Sequence, residues 1–332
     1  MSNGSSGRLV LAGDIGGTKT NLGLYEIGFE RPEPVAKASY ASSESMDLES
    51  LVERFMEENS SPVSAACFGV AGPVLAGTCK ATNLPWIVSE EGVKTRFGWD
   101  KVRLINDLVA TAYSIPILRT GELAEINRGE RDPEGNIGLV APGTGLGISF
   151  LVRREGKLFP VSSEGGHVDF APRTDKEIAM FRHFRTRLGH VSIERVISGP
   201  GLYDIYTWLR ETSGLPEPTW LQERMNREDS SKVVSEVGLA GDDPICEEAL
   251  NMFVSLLAAA AGNLALTVLA TGGVFLGGGI PPKILPKLED GPFMKAFAAK
   301  GRFEDLLKKV PVNVILNDEA ALLGAASWAL EL

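Results

Sequence analysis

Three short stretches hold the side chains best suited to chemistry. LIND presents Asn106 and Asp107 directly after an aliphatic run, SEGGHVDF presents Glu164 and His167 around two glycines, and SIERVISGPG presents Glu194. Polar residues at the carboxyl end of a strand stand where α/β folds put their ligand sites. Carboxylates, an amide and an imidazole together supply the short-range acceptors and donors that hold a polyhydroxylated sugar by paired hydrogen bonds. His167 is one of only three histidines, and a lone histidine is more often structural than catalytic. Its company of carboxylates is what turns the argument toward a ligand.

Three glycine clusters could serve a phosphate or a base. DIGGTKT places Gly16 and Gly17 at a sharp bend and follows them with the Thr18 hydroxyl, while Asp14 could hold Mg²⁺ directly or through water. An ordinary Gly-Gly hairpin explains the same residues about equally well. APGTGLG repeats the device with Gly143, Thr144, Gly145 and Gly147, but it misses the dinucleotide-binding spacing and is followed by a strand where a helix would be needed. No P-loop sequence occurs. In GGVFLGGGIPP a strand ends in Gly277, Gly278 and Gly279, where a flat base could approach the backbone. A tight strand-to-helix turn accounts for it as readily.

These residues need elements to position them. RLVLAGD and TNLGLYEI flank the first glycine turn as two strands, and NIGLVAP and LGISFLV flank the second in the same way. This echo points to two related lobes, each opening with a glycine-turned hairpin. LESLVERFMEE carries Leu48, Leu51, Val52, Phe55 and Met56 at helical spacing; PVSAACFGVAG and KVRLIND read as aliphatic strands. Helices dominate the second half before the late strands GGVFLGGG and VNVIL, and EAALLGAASWALEL closes as a helix. Alternating strands and helices predict an α/β fold with mostly covered sheets. At 332 residues the chain is too long for one growing core, so two lobes with a cleft between them are expected.

Composition removes several classes. A net charge of -10 without a basic cluster argues against nucleic acid, and it does nothing to draw ATP from afar, so local dipoles and a metal ion must hold any nucleotide. Three cysteines without C-x-x-C spacing fit neither a disulfide framework nor a zinc site, and they suit a reducing compartment. The most apolar stretch, Leu256 to Ala270, is interrupted by Asn263 and Thr267 and falls short of the roughly 18 residues of a membrane span. A buried helix is expected there. The opening MSNGSSG is polar and glycine-rich, so residues 1–7 are expected to be a disordered leader.

Taken in order, GDIGGT, FGVAGPV, TNLPW, LINDLVA, GTGLG, EGGHVDFAP, ERVISGPGL, GNLAL, GGVFLGGGI and the terminal LLGAA resemble the bacterial glucokinase family, within the sugar kinase, Hsp70 and actin superfamily, over nearly the whole chain. The resemblance implies a two-lobed, ribonuclease H-like fold: a small α/β domain over 8–117 plus about 311–332, and a large α/β domain with a helical insertion over 118–310. It implies Asp107 as catalytic base and Asn106, Glu164, His167 and Glu194 as sugar contacts. The turn from Gly13 through Asp14, Ile15, Gly16 and Gly17 to Thr18 matches the family's ATP-binding turn. Gly143, Thr144 and Gly145 match its second phosphate turn, and Gly277 to Gly279 its adenosine region. ATP, Mg²⁺, glucose, a cytoplasmic location and a homodimer follow as expectations. The ROK sugar kinases and repressors share such glycine turns, but their cysteine-rich zinc motif and helix-turn-helix are absent from this sequence. A kinase for another hexose or an amino sugar is the competing enzymatic reading; a regulatory protein that binds sugar and nucleotide without turnover is the non-catalytic one.

Overall fold

The computed structural model describes residues 9–26, 31–81 and 84–332; the leader 1–7 and Asn83 of TNLPW lie outside them. The chain forms two compact units. One runs through Thr120 and resumes at Asn317–Leu332; the other is Gly121–Leu316.

The smaller unit is built on β1 (Leu9–Ile15), β2 (Lys19–Glu26), β3 (Glu33–Ala41), β4 (Val63–Val70), β5 (Val74–Leu75), β6 (Thr78–Lys80), β7 (Ile87–Ser89) and β8 (Val102–Asn106). Its helices are α1 (Leu48–Glu58), α2 (Glu90–Phe97), α3 (Asp107–Ser114) and a terminal helix, Ala320–Ala329. The main sheet has the order β3-β2-β1-β4-β8, an antiparallel meander continued by two parallel strands. Side chains alternate across it with period two. Leu11, Phe68 and Leu104 point to the apolar face of α1, namely Leu48, Leu51, Val52 and Phe55. Val10, Ala12, Ala65 and Cys67 point the other way, onto Leu322, Ala325 and Ala326 of the terminal helix. That helix also crosses α3 so closely that a Cβ on Gly324 would lie 1.7 Å from the Ala110 carbonyl oxygen.

The larger unit contains β9 (Leu123–Asn127), β10 (Ile137–Pro142), β11 (Leu146–Arg154), β12 (Lys157–Ser163), β13 (Gly273–Leu276) and β14 (Val312–Ile315) in the order β12-β11-β10-β13-β14-β9. Here too an antiparallel meander is followed by two parallel strands, so the echo between the two glycine hairpins is carried by a shared strand order. Because β14 is bonded to β13 on one side and β9 on the other, VNVIL belongs to this unit, and the chain returns to the smaller unit at Asn317 rather than at about residue 311.

Helices α4 (Asp175–Leu188), α5 (Gly199–Ser213), α6 (Thr219–Met225), α7 (Ser230–Ala240) and α8 (Pro244–Thr267) supply most of the core of the larger unit. Among the described residues α8 is the one helix long and apolar enough to cross a membrane, and most of it is buried inside the protein. It starts at Asp243, whose carboxylate caps the amides of Ile245 and Cys246 and takes two hydrogen bonds from Arg210 of α5, at 2.7 and 2.8 Å.

Candidate functional site

In the smaller unit the predicted residues stand at the carboxyl ends of β1 and β8. Asn106 is the N-cap of α3: its Oδ1 accepts from the amides of Leu108 at 2.9 Å and Val109 at 3.4 Å, and its Nδ2 donates to Gly72 O at 3.3 Å. Asparagine is among the residues best suited to that position. Asp107 therefore opens the helix, half-buried, with Oδ1 accepting from the Leu108 amide at 2.9 Å. Burial pushes its carboxyl up to about 6; the Leu108 hydrogen bond opposes that shift, and the charge of Asp14 adds to it. Close approach is possible because β4 has Gly69 at this point, where a Cβ would sit 3.0 Å from Ala110 Cβ and 3.6 Å from Asp107 Cα.

The bend between β1 and β2 is tightly buttressed. Gly16 donates to Lys19 O at 3.0 Å, and the buried Ser42 donates its hydroxyl to Gly16 O at 2.8 Å while its Oγ lies 2.9 Å from Thr20 Oγ1. Asp14, raised by burial against the lowering influence of Asn21 and Lys19, accepts a long 3.4 Å hydrogen bond from Asn21. Gly13 and Ile15 have other work: a Cβ on Gly13 would meet the Phe68 ring at 2.4 Å, and the Ile15 side chain lies in the core. The missing Cβ of Gly13 and the side chain of Ile15 thus serve packing, while Thr18 is exposed and Asp14, Gly16 and Gly17 are partly exposed at the turn.

In the larger unit Glu164, His167 and Glu194 come together. Glu164 precedes the 3-10 turn Gly165–His167, which lies so close to β11 that a Cβ on Gly166 would be 2.1 Å from Leu146 O. The second glycine of EGGH is thus required by packing. His167 faces Glu164 through Nε2 and Glu194 through Nδ1, each at 3.9 Å, too long for direct hydrogen bonds. Glu164 and His167 keep 70% and 62% of their side-chain surface exposed, so a ligand can reach them. Glu194 Oε2 accepts from the Leu146 amide at 2.9 Å, just past the bend at Gly143–Gly145.

That bend closes on itself through Gly143 N to Gly145 O at 2.8 Å and is tied to α5 by Gly199 N to Gly143 O at 2.8 Å. Gly143, Thr144 and Gly279 line a cavity of about 630 Å³, together with Tyr203, Asp229, Lys232 and Lys283. Gly277 and Gly278 stand outside this lining. Gly277 donates to Val140 O at 2.9 Å, and Gly278 has a φ of +78° with space for no Cβ, 2.5 Å from Pro142 O. Tyr203, Asp229, Lys232 and Lys283 were not legible because they come from separate elements with no shared spacing. The capping role of Asn106 did have a signal, an asparagine between an aliphatic strand and a helical run. Among the described residues no three metal-ligating side chains cluster.

A family model described as Glucokinase matches residues 11–332. The glucokinase of Nostoc punctiforme is 38% identical over 339 residues, covering 98% of this chain and 99% of its own length. Among solved structures, a glucokinase from an Antarctic psychrotroph superposes with a TM-score of 0.87 at 31% identity, over 98% of this chain and 99% of its own. A ROK family glucokinase from Streptomyces griseus, solved with glucose and AMPPNP, shares the fold with a TM-score of 0.67 at 20% identity, over 98% and 100%. The family model and the glucokinases matched in sequence and structure place this fold, with its two glycine hairpins on matching sheets, among the sugar kinases. Within that class the chain belongs to the glucokinase family.

Proposed function

We propose that the protein transfers the γ-phosphoryl group of ATP to the 6-hydroxyl of D-glucose, giving glucose 6-phosphate and ADP, with Asp107 as base. The carrying observation is the carboxylate at the first position of α3, held by its own helix amide and raised to about 6 by burial. A sugar hydroxyl is a poor nucleophile, and a base ionised at neutral pH yet more basic than a free aspartate suits the removal of its proton. Glu164, His167 and Glu194 hold the remaining hydroxyls. Asn106 contributes chiefly by fixing the start of α3, since its Oδ1 is committed to two amides. Replacing Asn106 with alanine would leave α3 uncapped.

The bends at Gly17–Thr18 and Thr144–Gly145 present backbone amides to the phosphates, and the cavity beside Gly279 takes the adenosine. Mg²⁺ fits Asp14: this ion keeps most of its waters and needs only one or two carboxylates besides the phosphates. When bound, it neutralises charge on the transferring group. Three free and buried thiols support a cytoplasmic location, and the family resemblance supports a homodimer. The test is a coupled ADP assay with ATP and a panel of hexoses. Asp107→Asn is expected to lower kcat by about 10² to 10⁴ with a much smaller change in glucose affinity. Near-wild-type kcat in that variant, or no turnover of glucose by the unaltered protein, would refute the proposal.

A further inference from the structure

Glu194 occupies a position that its role as a sugar contact does not account for. One carboxylate oxygen, Oε1, faces the His167 ring at 3.9 Å. The other, Oε2, accepts the Leu146 amide at 2.9 Å, at the exit of the Gly143–Gly145 bend, and lies 2.6 Å from where a Cβ on Gly145 would be. The backbone of the same residue is fixed as well. Its carbonyl accepts the Ser198 hydroxyl at 2.8 Å, and that hydroxyl in turn caps the Gly201 amide at 3.1 Å. Gly199, between them, donates to Gly143 O at 2.8 Å. Bend, carboxylate and start of α5 thus form one closed set of hydrogen bonds.

We propose that Glu194 is a positioning residue for the nucleotide bend as well as a sugar contact, so that its single carboxylate links the binding of the two substrates. The inference rests on the reading of this bend as a phosphate turn. An ionised acceptor on a backbone amide is a strong hydrogen bond, and its loss frees the bend at Leu146. Sugar hydroxyls that settle against Oε1 hold the carboxylate in the orientation that keeps Oε2 on Leu146. A bend already held by nucleotide returns the favour, since coupling between two bound ligands is reciprocal.

The test separates the two ligands by binding measurements on the full chain, ADP without sugar and glucose without nucleotide. Glu194→Ala is expected to weaken ADP binding in the absence of any sugar by about tenfold or more, the loss of one charge-assisted hydrogen bond. Glu194→Gln keeps a carbonyl acceptor for the Leu146 amide and is expected to stay within about threefold of the unaltered protein for ADP. Gly145→Ala, a change inside the bend, drives its Cβ against Oε2 and is expected to weaken glucose binding by about tenfold with no nucleotide present. A residue that only touches sugar would leave sugar-free ADP binding unchanged in Glu194→Ala, and that result overturns the inference. Unchanged glucose affinity in Gly145→Ala overturns it independently, and decides the matter should Glu194→Ala lose its native circular dichroism. Failure of the unaltered protein to bind ADP at all would instead overturn the reading of the bend on which the inference stands.

Discussion

Asp107→Asn should make the protein more stable while disabling it, and the gain should depend on pH. Burial raises the folded-state carboxyl from an ordinary 3.8 to about 6, so at neutral pH the fold carries an ionised group that it would rather hold protonated. Well below pH 3.8 the carboxyl is protonated in both folded and unfolded chains and imposes no penalty. As pH rises, the unfolded chain ionises first, and the penalty grows until the folded carboxyl has also ionised, above about pH 6. A displacement from 3.8 to about 6 corresponds to about 3 kcal/mol. Because Asp107 keeps some contact with water, that figure is a ceiling. Asparagine has the same shape and keeps an oxygen for the Leu108 amide, so little packing is lost. Thermal unfolding of both proteins, without nucleotide or Mg²⁺, at pH 4.5 and pH 8 is the assay. The melting temperature of the variant should exceed that of the unaltered protein by several degrees at pH 8 and by much less at pH 4.5. A difference that is negative at pH 8, or the same at both values, would refute the burial argument.

The same titration should appear in turnover: kcat/KM for glucose is expected to fall about tenfold per pH unit below about 6 and to level off above it, and a profile flat down to pH 5 would dismiss Asp107 as the base. Arg210→Ala strands the buried Asp243 carboxylate at the start of α8 and should cost about 3–5 kcal/mol in denaturant unfolding, whereas a loss below about 1 kcal/mol would show the pair to be dispensable. Gly278→Ala places a Cβ 2.5 Å from Pro142 O on a backbone at φ +78°, and calorimetry should show weakened ADP binding with glucose binding retained.

Much of the architecture was legible because it is written in local periods. The pairs of strands around Gly16–Gly17 and Gly143–Gly145, the amphipathic α1 and the buried α8 each show their spacing within a few residues. β3 and β9 were not read. Their sequences, EPVAKASYA and LAEIN, mix polar and small residues because both strands lie at sheet edges, with little apolar patterning to betray them. At the site, acidic residues and glycines stood out by type, but their division of labour did not. Gly13 looked like a ligand glycine, yet its lack of a Cβ makes room for Phe68, and Gly166, to which no role was given, is a glycine because Leu146 leaves no space for a Cβ. Ser42 closes the first bend from 26 residues away, a distance at which no sequence window shows a partner.

The smaller unit is assembled from both ends of the chain, and this constrains how it can be made. The apolar face formed by Val10, Ala12, Ala65 and Cys67 waits for Leu322, Ala325 and Ala326, which a ribosome delivers only after the whole of Gly121–Leu316. During synthesis the larger unit can condense first, while β1, β2 and β4 stand with one side of their sheet bare. Lesions in the last sixteen residues should therefore surface as poor yield and aggregation of nascent protein, even though none of those residues belongs to either glycine bend.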